Sequence, residues 1–426
     1  MIQRLGILLL VILGALGGCT EDPKAQREQR VAQLRQTYQD GGEIHLGAVW
    51  AGTEDAGFLA GAKLAVEELN AEGGIVGHKL RLNIIGEAPF LEKSKVDRAY
   101  AEGRYRSAMQ EAGTAIAHAV IADPLIGAVI GHSDHGQTTL SAMAAYEQHG
   151  VMLLSAGTTD DKVRWLGSEL YFQLLPSNKR FAKKLADEMT DRHWNNVHLV
   201  YAASRHNEQL VELIKAALAN QNIALSGSTA LVGDALKSQI VPPRLRSSLA
   251  ELRSGSVDAV VLLAPPDLGA RVIRFVRSLG IAQPFIGTMS LDSANFVRDV
   301  GQAGADTIIA DIYRDNSYQQ RRFAAKFRGR FPAQEADKWA ALGYDSVNLY
   351  AQAVACAGTT DPFVVAQTLY FKLPLWLGVV GRYGFRVGEG HNEEMRFAAK
   401  VLRRQTDGSF KFIFTERADE DETLAQ

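Results

Sequence analysis

Residues 44–84 read IHLGAVWAGTEDAGFLAGAKLAVEELNAEGGIVGHKLRLNI, and this stretch decides the fold. Ile44–Trp50 is a short apolar run, typical of a buried strand. Apolar residues then recur at helical spacing over 58–69, until a pair of glycines favours the end of the helix. Alternating apolar residues from Leu80 onward predict the next strand. The order strand, helix, strand predicts two parallel strands joined by a helical crossover.

The same alternation continues along the chain. A charged helical stretch over about 92–121 precedes the buried strand 127–130. The pattern starts again in the second half and includes the continuous apolar strand 257–264. The order predicts two α/β units, each with a parallel sheet and helical crossovers. The pattern then ends in an expected hairpin with strands 395–404 and 410–415.

Composition and charge exclude several classes of protein. The 426 residues are 46% hydrophobic and 22% charged, which is typical of a globular protein and excludes a disordered chain, a coiled coil or collagen. The 46 Lys and Arg residues nearly balance the 48 Asp and Glu residues, so the chain lacks the positive field expected of a nucleic-acid-binding protein. Since Cys19 and Cys356 are the only cysteines, no disulfide framework is expected.

The first residues have the layout of a secretory signal. One positive charge, at Arg4, precedes the uncharged stretch Leu5–Gly18 of 14 apolar and small residues. Because spanning a bilayer takes about 20 residues, a permanent membrane helix is the weaker interpretation. The sequence LGGC at 16–19 resembles the bacterial lipobox, which implies cleavage before Cys19 and acylation of its thiol. The alternative is a plain cleaved signal with an incidental cysteine.

Residues 19–42 are expected to hold the lipidated cysteine and a tether helix. The sparse apolar stripe of Val31, Leu34 and Tyr38 has helical spacing, which favours a tether or a docking helix over a part of the core. Thr20, rather than an aspartate, follows the cysteine and resembles an outer-membrane address. The protein would then face the periplasm, or the outside of the cell if the host has a single membrane.

No motif for catalysis, metal binding or nucleotide binding is complete. The sequence contains no GxxxxGK[ST] phosphate-binding loop. The stretch GHSDH at 131–135 follows a strand, as a nucleophile elbow would, but a histidine replaces the second glycine. This loop also contains His132, Asp134 and His135. They are better explained as ordinary polar residues of a loop than as metal ligands. We therefore predict no enzymatic activity, no metal and no cofactor.

Several segments resemble the type I periplasmic binding proteins, in the branched-chain amino acid-binding (Leu/Ile/Val-binding) family of ABC-transporter receptors. Residues 44–49 resemble the family's opening strand, and residues 61–80, GAKLAVEELNAEGGIVGHKL, resemble its first helix and turn. Residues 146–159 resemble the segment that forms one wall of the cleft. Residues 339–346, WAALGYDS, resemble the helix that the family forms where its chain returns to the first lobe. The resemblance covers 43–415.

The resemblance implies an α/β fold of two Rossmann-like lobes with parallel central sheets, joined by a three-crossover hinge. The ligand would lie between the lobes at the carboxyl ends of the strands, where open α/β sheets bind ligands. Closure about the hinge would bury it. The expected organisation is a signal peptide at 1–18, the lipidated tether at 19–42, lobe 1 at 43–174 and 315–381, lobe 2 at 175–314 and 382–415, and a solvated acidic tail at 416–426.

The resemblance also places ligand-binding residues in the first lobe. The residues that would bind a carboxylate through amides and hydroxyls share one loop: Ser155, Gly157, Thr158 and Thr159. In the loop before it, His135 replaces the family's serine, whereas Gly136 and Thr138 match. Trp50 departs from the family and either stacks on the ligand or covers the core.

The second lobe departs further from the family. The acidic residue that would pair with a ligand's ammonium falls at Met289, with Asp292 three residues on. His206 replaces part of a Tyr-Gly pair, and Pro265 completes the candidate residues on this side. Because a buried charge without a partner costs several kcal/mol, such a cleft should reject a free amino group unless Asp292 reaches it. The expected ligand is small and polar: an amino acid, an amino acid derivative or another small carboxylate.

These features together predict a lipid-anchored, extracytoplasmic solute-binding protein for amino-acid transport or a related import. The resemblance implies a monomer that delivers its ligand to an ABC permease in the inner membrane and has no nucleic-acid partner. The alternative is a non-transport envelope lipoprotein on the same fold, acting as a sensor or as a protein-docking regulator.

Overall fold

The computed structural model describes residues 22–52, 57–96, 99, 102–133, 137–161, 167–231, 256–313 and 317–415. The predicted signal peptide, Cys19 and the acidic tail lie outside these ranges. Within them, no helix is long and apolar enough to cross a bilayer.

The first sheet has five strands, all parallel, in the order β2-β1-β3-β4-β5. Successive side chains of a strand point to opposite faces, and both faces of this sheet are buried. Its strands are β1 (Ile44–Trp50), β2 (Leu80–Gly86), β3 (Ile126–Gly131), β4 (Met152–Ser155) and β5 (Tyr171–Gln173). The helices between them are α2 (Gly57–Ala71), α3 (Ala88–Lys93), α4 (Tyr105–Ile121) and α5 (Gln137–His149), and α1 (Pro23–Gln39) precedes β1.

The second sheet has seven strands in the order β14-β13-β10-β9-β8-β6-β7. Five are parallel, and the last two form an antiparallel hairpin along β10, as the sequence predicts. The strands are β6 (Asn196–Ala202), β7 (Ala224–Leu231), β8 (Ala259–Leu263), β9 (Phe285–Thr288), β10 (Ile308–Asp311), β13 (Ala398–Arg404) and β14 (Phe410–Phe414). The helices of this half are α6 (Asn178–Asp191), α7 (Arg205–Asn220), α8 (Pro266–Ser278) and α9 (Ala294–Val300).

Three further helices return to the first sheet: α10 (Tyr318–Arg330), α11 (Lys338–Ala357) and α12 (Pro362–Phe371). A short hairpin of β11 (Trp376–Leu377) and β12 (Arg382–Tyr383) follows them. In the described part of the chain, the path passes between the halves three times: after β5, after β10 and after β12. The predicted fold, two α/β lobes with parallel central sheets and three crossovers, is confirmed.

Helices α2 and α11 cross at two glycines that no larger residue could replace. A Cβ atom on Gly61 would lie 1.8 Å from the Ala340 carbonyl oxygen, and one on Gly343 would lie 1.9 Å from the Phe58 carbonyl oxygen. The backbones therefore approach closely, as helices do where small residues face each other. This contact holds the first turn of α11, with Lys338 and Trp339, at the edge of the sheet where β1 ends.

The first lobe extends beyond its predicted boundary at residue 381. Tyr383 and Phe385 pack into the core of the first lobe. The Asp345 carboxylate on α11 accepts hydrogen bonds from the backbone N–H groups of Val379 and Val380, at 2.7 and 2.8 Å, and from the Tyr383 hydroxyl at 2.8 Å. These buried bonds fasten the hairpin to α11, a long-range contact that the hydrophobic pattern does not report.

One local prediction differs from the structure. The helical stretch predicted over 92–121 is interrupted: α3 ends at Lys93, turns lie at 94–95 and 102–103, where Gly103 has a backbone φ of +70°, and α4 begins at Tyr105. Cys356 lies on α11, where it is exposed and free. Its neighbours in sequence are apolar, but Cys356 is not among the residues of α11 that face the core.

Helix α1 is docked on the first lobe, which decides between the two roles that its sequence left open. Val31 and Leu34 are buried, and Tyr38 stacks on His78 with ring centroids 4.2 Å apart. The Thr360 hydroxyl donates to the Leu34 carbonyl oxygen at 3.0 Å, and the Arg35 guanidinium donates to the Asp361 carboxylate at 2.7 Å.

Arg30 is the residue of α1 that sequence patterning misses, because an arginine in a charged helix is usually exposed. It is 7% exposed, and its guanidinium donates to the carbonyl oxygens of Ile121, Asp123 and Ile126. The Ile121 carbonyl belongs to the last turn of α4, where a helix leaves its carbonyl groups without partners. Arg30 supplies a partner and ties α1 to the lobe.

We expect Arg30→Ala to lower the free energy of unfolding by about 2–4 kcal/mol, because it leaves buried carbonyl groups without their charged donor. Gln33→Ala, on the exposed side of the same helix, is the matched control and should change stability by less than about 0.5 kcal/mol. Urea unfolding of the chain from Glu21 onward measures both. Equal stability of the two variants would contradict the docking role.

Candidate ligand-binding cleft

The loops at the carboxyl ends of β1, β3 and β4 are tied to one another by backbone hydrogen bonds. The His132 N–H donates to the Val49 carbonyl oxygen at 2.7 Å, and the Ala156 N–H donates to the Gly131 carbonyl oxygen at 3.1 Å. The Ala51 N–H donates to the Ser133 hydroxyl at 3.2 Å. Because parallel strands end at the same edge, these loops form one continuous wall of polar backbone.

The predicted carboxylate loop belongs to this wall. Ser155 and Thr158 are fully buried, and Thr159 is 9% exposed. The Thr158 hydroxyl lies 3.0 Å from that of Thr139 on α5. A Cβ atom on Gly157 would lie 2.1 Å from the His132 carbonyl oxygen, so only glycine lets the two loops meet. The structure thus holds this loop in one conformation, whereas its contact with a ligand stays a prediction.

A buried polar cluster lies under the wall and was not predicted. Glu87, directly after β2, accepts hydrogen bonds from the Ser133 hydroxyl and, at 3.2 Å, from the Ser133 N–H, and its carboxylate lies 3.5 Å from the His132 ring. The other ring nitrogen of His132 lies 3.0 Å from the Tyr146 hydroxyl. Burial acts to raise the pKa of Glu87. The hydrogen bond and charge of His132, together with hydrogen bonds from Ser133, outweigh burial and hold this pKa below its usual range.

Thr138 joins the same cluster, and its hydroxyl lies 3.3 Å from the Glu87 carboxylate. His135 and Gly136, the other two candidates of this loop, lie outside the described residues. The loop that carries His135 and Gly136 lies between Ser133 and Thr138. Both of these residues form hydrogen bonds with Glu87. Among the described residues, no group of three His, Cys, Asp or Glu side chains is placed to hold a metal ion.

Trp50, at the end of β1, is half-buried in an aromatic group. Its ring stacks on Phe58 at a centroid distance of 4.2 Å and lies 5.8 Å from that of Trp339. The core-covering interpretation of Trp50 accounts for the face against Phe58. Its remaining exposed surface lies at the carboxyl edge of the sheet, so the ligand-facing interpretation stays a prediction.

The candidates of the second lobe also follow strand ends. His206 follows β6, Pro265 follows β8, and both Met289 and Asp292 follow β9. The side-chain amide of Asn207 donates to the carbonyl oxygens of Ala202, at 2.8 Å, and Leu263, at 3.3 Å, which joins the ends of β6 and β8. The structure therefore brings each lobe's candidates to the carboxyl edge of its own sheet.

The two edges meet through Lys338, at the start of α11. Its ammonium donates to the Met289 carbonyl oxygen and lies 3.3 and 3.4 Å from the two oxygens of Asp311, the last residue of β10. Lys338 is 6% exposed and Asp311 is fully buried. Because Lys338 belongs to the first lobe and Asp311 to the second, this ion pair spans the cleft between them.

Lys400 extends the ion pair within the second lobe. This fully buried residue of β13 places its ammonium 3.1 Å from Asp311 and 2.8 Å from Asp292. Burial acts to raise the pKa of Asp311, but Lys338 and Lys400 hold it well below its usual range. Burial raises the pKa of Asp292 to about 6, although Lys400 opposes the shift.

Sequence reasoning missed Asp311, Lys338 and Lys400, although Asp311 and Lys400 left a signal. Asp311 ends a strand that is otherwise apolar, and Lys400 interrupts the apolar run of β13. A charged residue in such a run is expected to have a partner, because an unpaired buried charge is costly. The sequence does not say which partner, since that depends on the order of strands in the sheet.

A separate cavity of about 570 Å³ lies on the flank of the first lobe, between α10, α11 and the β11–β12 hairpin. Tyr318, Tyr344 and Trp376 are among its lining residues. It is remote from the strand ends that carry the candidate residues, so it is not part of the cleft.

The chain matches the protein family described as periplasmic binding protein over residues 105–406. A comparison with curated proteins finds no match. Among solved structures, an ABC transporter substrate-binding protein from Desulfitobacterium hafniense in complex with Leu is 24% identical, with a TM-score of 0.70, and the match covers 87% of this chain and all of that one.

Two further solved structures share the fold at lower identity. The branched-chain amino acid transporter substrate-binding protein from Streptococcus pneumoniae, in complex with isoleucine, is 18% identical, with a TM-score of 0.67 and coverage of 87% of this chain and 99% of that one. A solute-binding protein of an ABC transporter from Rhodopseudomonas palustris, in complex with 3,4-dihydroxybenzoic acid, is 13% identical, with a TM-score of 0.68 and coverage of 87% and 96%.

The raised pKa of Asp292 predicts a pH dependence of stability. An unfolded aspartate has a pKa of about 3.9, so between pH 4 and 6 the folded chain holds a proton that the unfolded chain releases. The stabilising contribution is therefore complete below pH 4 and is lost as the pH rises through about 6. We expect the stability of the wild type relative to Asp292→Asn to be higher at pH 5 than at pH 7.

Urea unfolding of both proteins at the two pH values measures this difference. Asn295→Ala, an exposed and non-titrating change nearby, should show no pH dependence relative to the wild type. A constant difference between wild type and Asp292→Asn, or one that grows with pH, would show that Asp292 does not titrate in this way.

Proposed function

The chain belongs to the periplasmic binding protein family, whose match takes in well over half of its length, and on this premise we propose that it is the substrate-binding component of an ABC importer. Its ligand is a small carboxylate held in the cleft between the lobes. Members of this family bind and release small molecules rather than transform them, and they work outside the cytoplasm. The permease of the importer is the expected partner.

The architecture supports binding by closure of the cleft. The carboxyl ends of both sheets face each other across the ion pair of Lys338 and Asp311. Three chain crossings connect the lobes, and a few residues in such crossings can absorb a hinge motion. A ligand held between the two edges would contact both lobes and favour the closed arrangement over the open one.

The wall of the first lobe supports a carboxylate as the recognised group. Loops after β3 and β4 bring backbone amides and threonine hydroxyls together, and both are donors that carboxylates accept. The solved structures named above hold leucine, isoleucine and 3,4-dihydroxybenzoic acid. These three ligands have a carboxylate in common, whereas the last has no amino group.

The second lobe supports a ligand without a free amino group. An α-amino acid carries an ammonium that needs an acidic partner once it is buried. Of the described acidic residues at this edge, Asp311 is paired with Lys338 and Lys400, and Asp292 is paired with Lys400. Lys338 brings its own ammonium to the Met289 carbonyl oxygen, where the sequence resemblance expects the ligand's ammonium. A ligand's amino group would have to displace a lysine.

The sequence supports an acyl anchor at Cys19. Several acyl chains on one residue hold a protein to a bilayer far more firmly than one does. We propose that the mature protein begins with this lipidated cysteine and faces the periplasm from the outer membrane, as Thr20 predicts.

Thermal unfolding against pairs of ligands tests the proposed ligand class. Each pair consists of a carboxylate and its α-amino counterpart, such as 4-methylpentanoate and leucine or 3-phenylpropanoate and phenylalanine. We expect at least one carboxylate to raise the melting temperature by roughly 3 °C at 100 times its Kd, because binding to the folded state adds about 2.7 kcal/mol there. Its amino counterpart should raise it by less than about 1 °C.

Thr159→Val should remove the shift, and Thr406→Val, on the exposed turn of the β13–β14 hairpin, should preserve it. A larger shift with the amino acid of any pair would contradict the ligand class. Absence of a shift across a broad panel, with folded and unoccupied protein, would contradict the binding function itself.

Membrane fractionation of cells that express the full chain tests the anchor. We expect the wild type to sediment with the membranes and Cys19→Ala to remain soluble, because the variant lacks the thiol that receives the lipid. Cys356→Ser, at the other cysteine, is the control and should sediment like the wild type. Sedimentation of Cys19→Ala with the membranes would rule out the lipid anchor.

A further inference from the structure

The docked helix α1 determines which face of the protein meets its membrane. We infer that the bilayer holding the anchor lies against the amino-end face of the first lobe, which is the edge where the strands of the first sheet begin. The cleft and the second lobe then point away from that bilayer. This inference rests on the proposed acylation of Cys19, and its geometry comes from the contacts of α1.

The contacts of α1 trace its path along the amino-end face. Arg27 and Val31 lie against Gly150, just before β4. Leu34 lies against Gly127, the second residue of β3. Farther along, Tyr38 stacks on His78, just before β2. The helix thus begins beside β4 and crosses the starts of the strands toward β2.

Polar contacts pin α1 to this face along its length. Arg30 donates to three carbonyl groups around the end of α4, and Arg35 is paired with Asp361, whose side chain is 1% exposed. Arg27 also lies over the Phe363 ring, 5.6 Å from its centroid. A helix with buried charged contacts at several turns moves with the lobe as one body.

The connection between the anchor and this helix is short. Two residues, Thr20 and Glu21, separate Cys19 from Asp22, the N-cap of α1. Three residue steps span at most about 10 Å when fully extended. A folded unit of about 200 residues has a radius of gyration of roughly 16 Å, so the connection is much shorter than the lobe is wide. The acylated residue therefore cannot reach around to the cleft side.

The cleft lies at the opposite end of the first lobe. Lys338 and Trp50 mark the carboxyl edge of the first sheet, and Lys338 contacts the second lobe there. The second lobe is thus distal to the bilayer. A permease that recognises the closed cleft would approach from the side away from the anchoring membrane. This arrangement agrees with an anchor in the outer membrane and a partner in the inner membrane.

The two native cysteines provide the test. Acylation consumes the thiol of Cys19, which leaves Cys356 as the free thiol of the mature chain. Cys356 is exposed near the end of α11, and Thr360, four residues on, bonds to Leu34 of α1. Cys356 therefore reports on the amino-end face. Ser278→Cys in a Cys356→Ser background places the label at the exposed end of α8, where the strands of the second sheet begin.

The acylated full chain is placed in vesicles of phosphatidylethanolamine and phosphatidylglycerol, in which a few lipids carry an energy-acceptor dye on the headgroup. We expect energy transfer from a donor on Cys356 to be at least twofold more efficient than from a donor on the cysteine at 278. Equal transfer, or stronger transfer from position 278, would overturn the proposed orientation.

A flexible insertion of 20 Gly and Ser residues between Glu21 and Asp22 should abolish the difference between the two labels. If the difference persists, the short connection does not orient the protein and the inference is wrong. A chain that is not acylated, and so does not bind vesicles, would overturn both the anchor and the orientation. Stabilisation by carboxylates would still support the binding function in that case.

Discussion

The buried ion network of Lys338, Asp311, Lys400 and Asp292 is the constraint on which the cleft depends. It joins the first turn of α11 in one lobe to the ends of β10 and β9 in the other; Lys338, Asp311 and Lys400 are buried, and Asp292 is half-buried. Removing one member of a buried pair leaves its partner uncompensated, at a cost of several kcal/mol. The lobes are thus held by charges that also occupy the acidic groups a cationic ligand would need.

This network depends in turn on close packing inside the first lobe. The crossing of α2 and α11 at Gly61 and Gly343 places Lys338 at the carboxyl edge of the sheet. Helix α1 covers the opposite edge and is fastened there by Arg30. The first lobe therefore has a binding edge at one end and a docked helix at the other. Its two ends give the protein a direction relative to a membrane.

Sequence periodicity predicted the order of strands and helices, and with it the two parallel sheets, because apolar runs and helical stripes report burial locally. The resemblance to the family placed the candidate residues at strand ends, where parallel strands put their loops. Neither found contacts between distant segments. Lys400 and Asp292 are 108 residues apart, and Lys338 and Asp311 are 27 apart. Such pairs follow from which strands and helices are neighbours. Arg30 was missed because a charged residue in a polar helix is expected to be exposed.

The cleft is proposed to accept a carboxylate and to exclude a free amino group, because Lys338 and Lys400 pair with Asp311 and Asp292 in the second lobe. The most direct measurement is native mass spectrometry of the protein purified without unfolding, followed by release and accurate-mass identification of any small molecule that it carries from the cell. The account predicts a carboxylic acid without a primary amine, at one molecule per chain. A free α-amino acid bound at that ratio would contradict it.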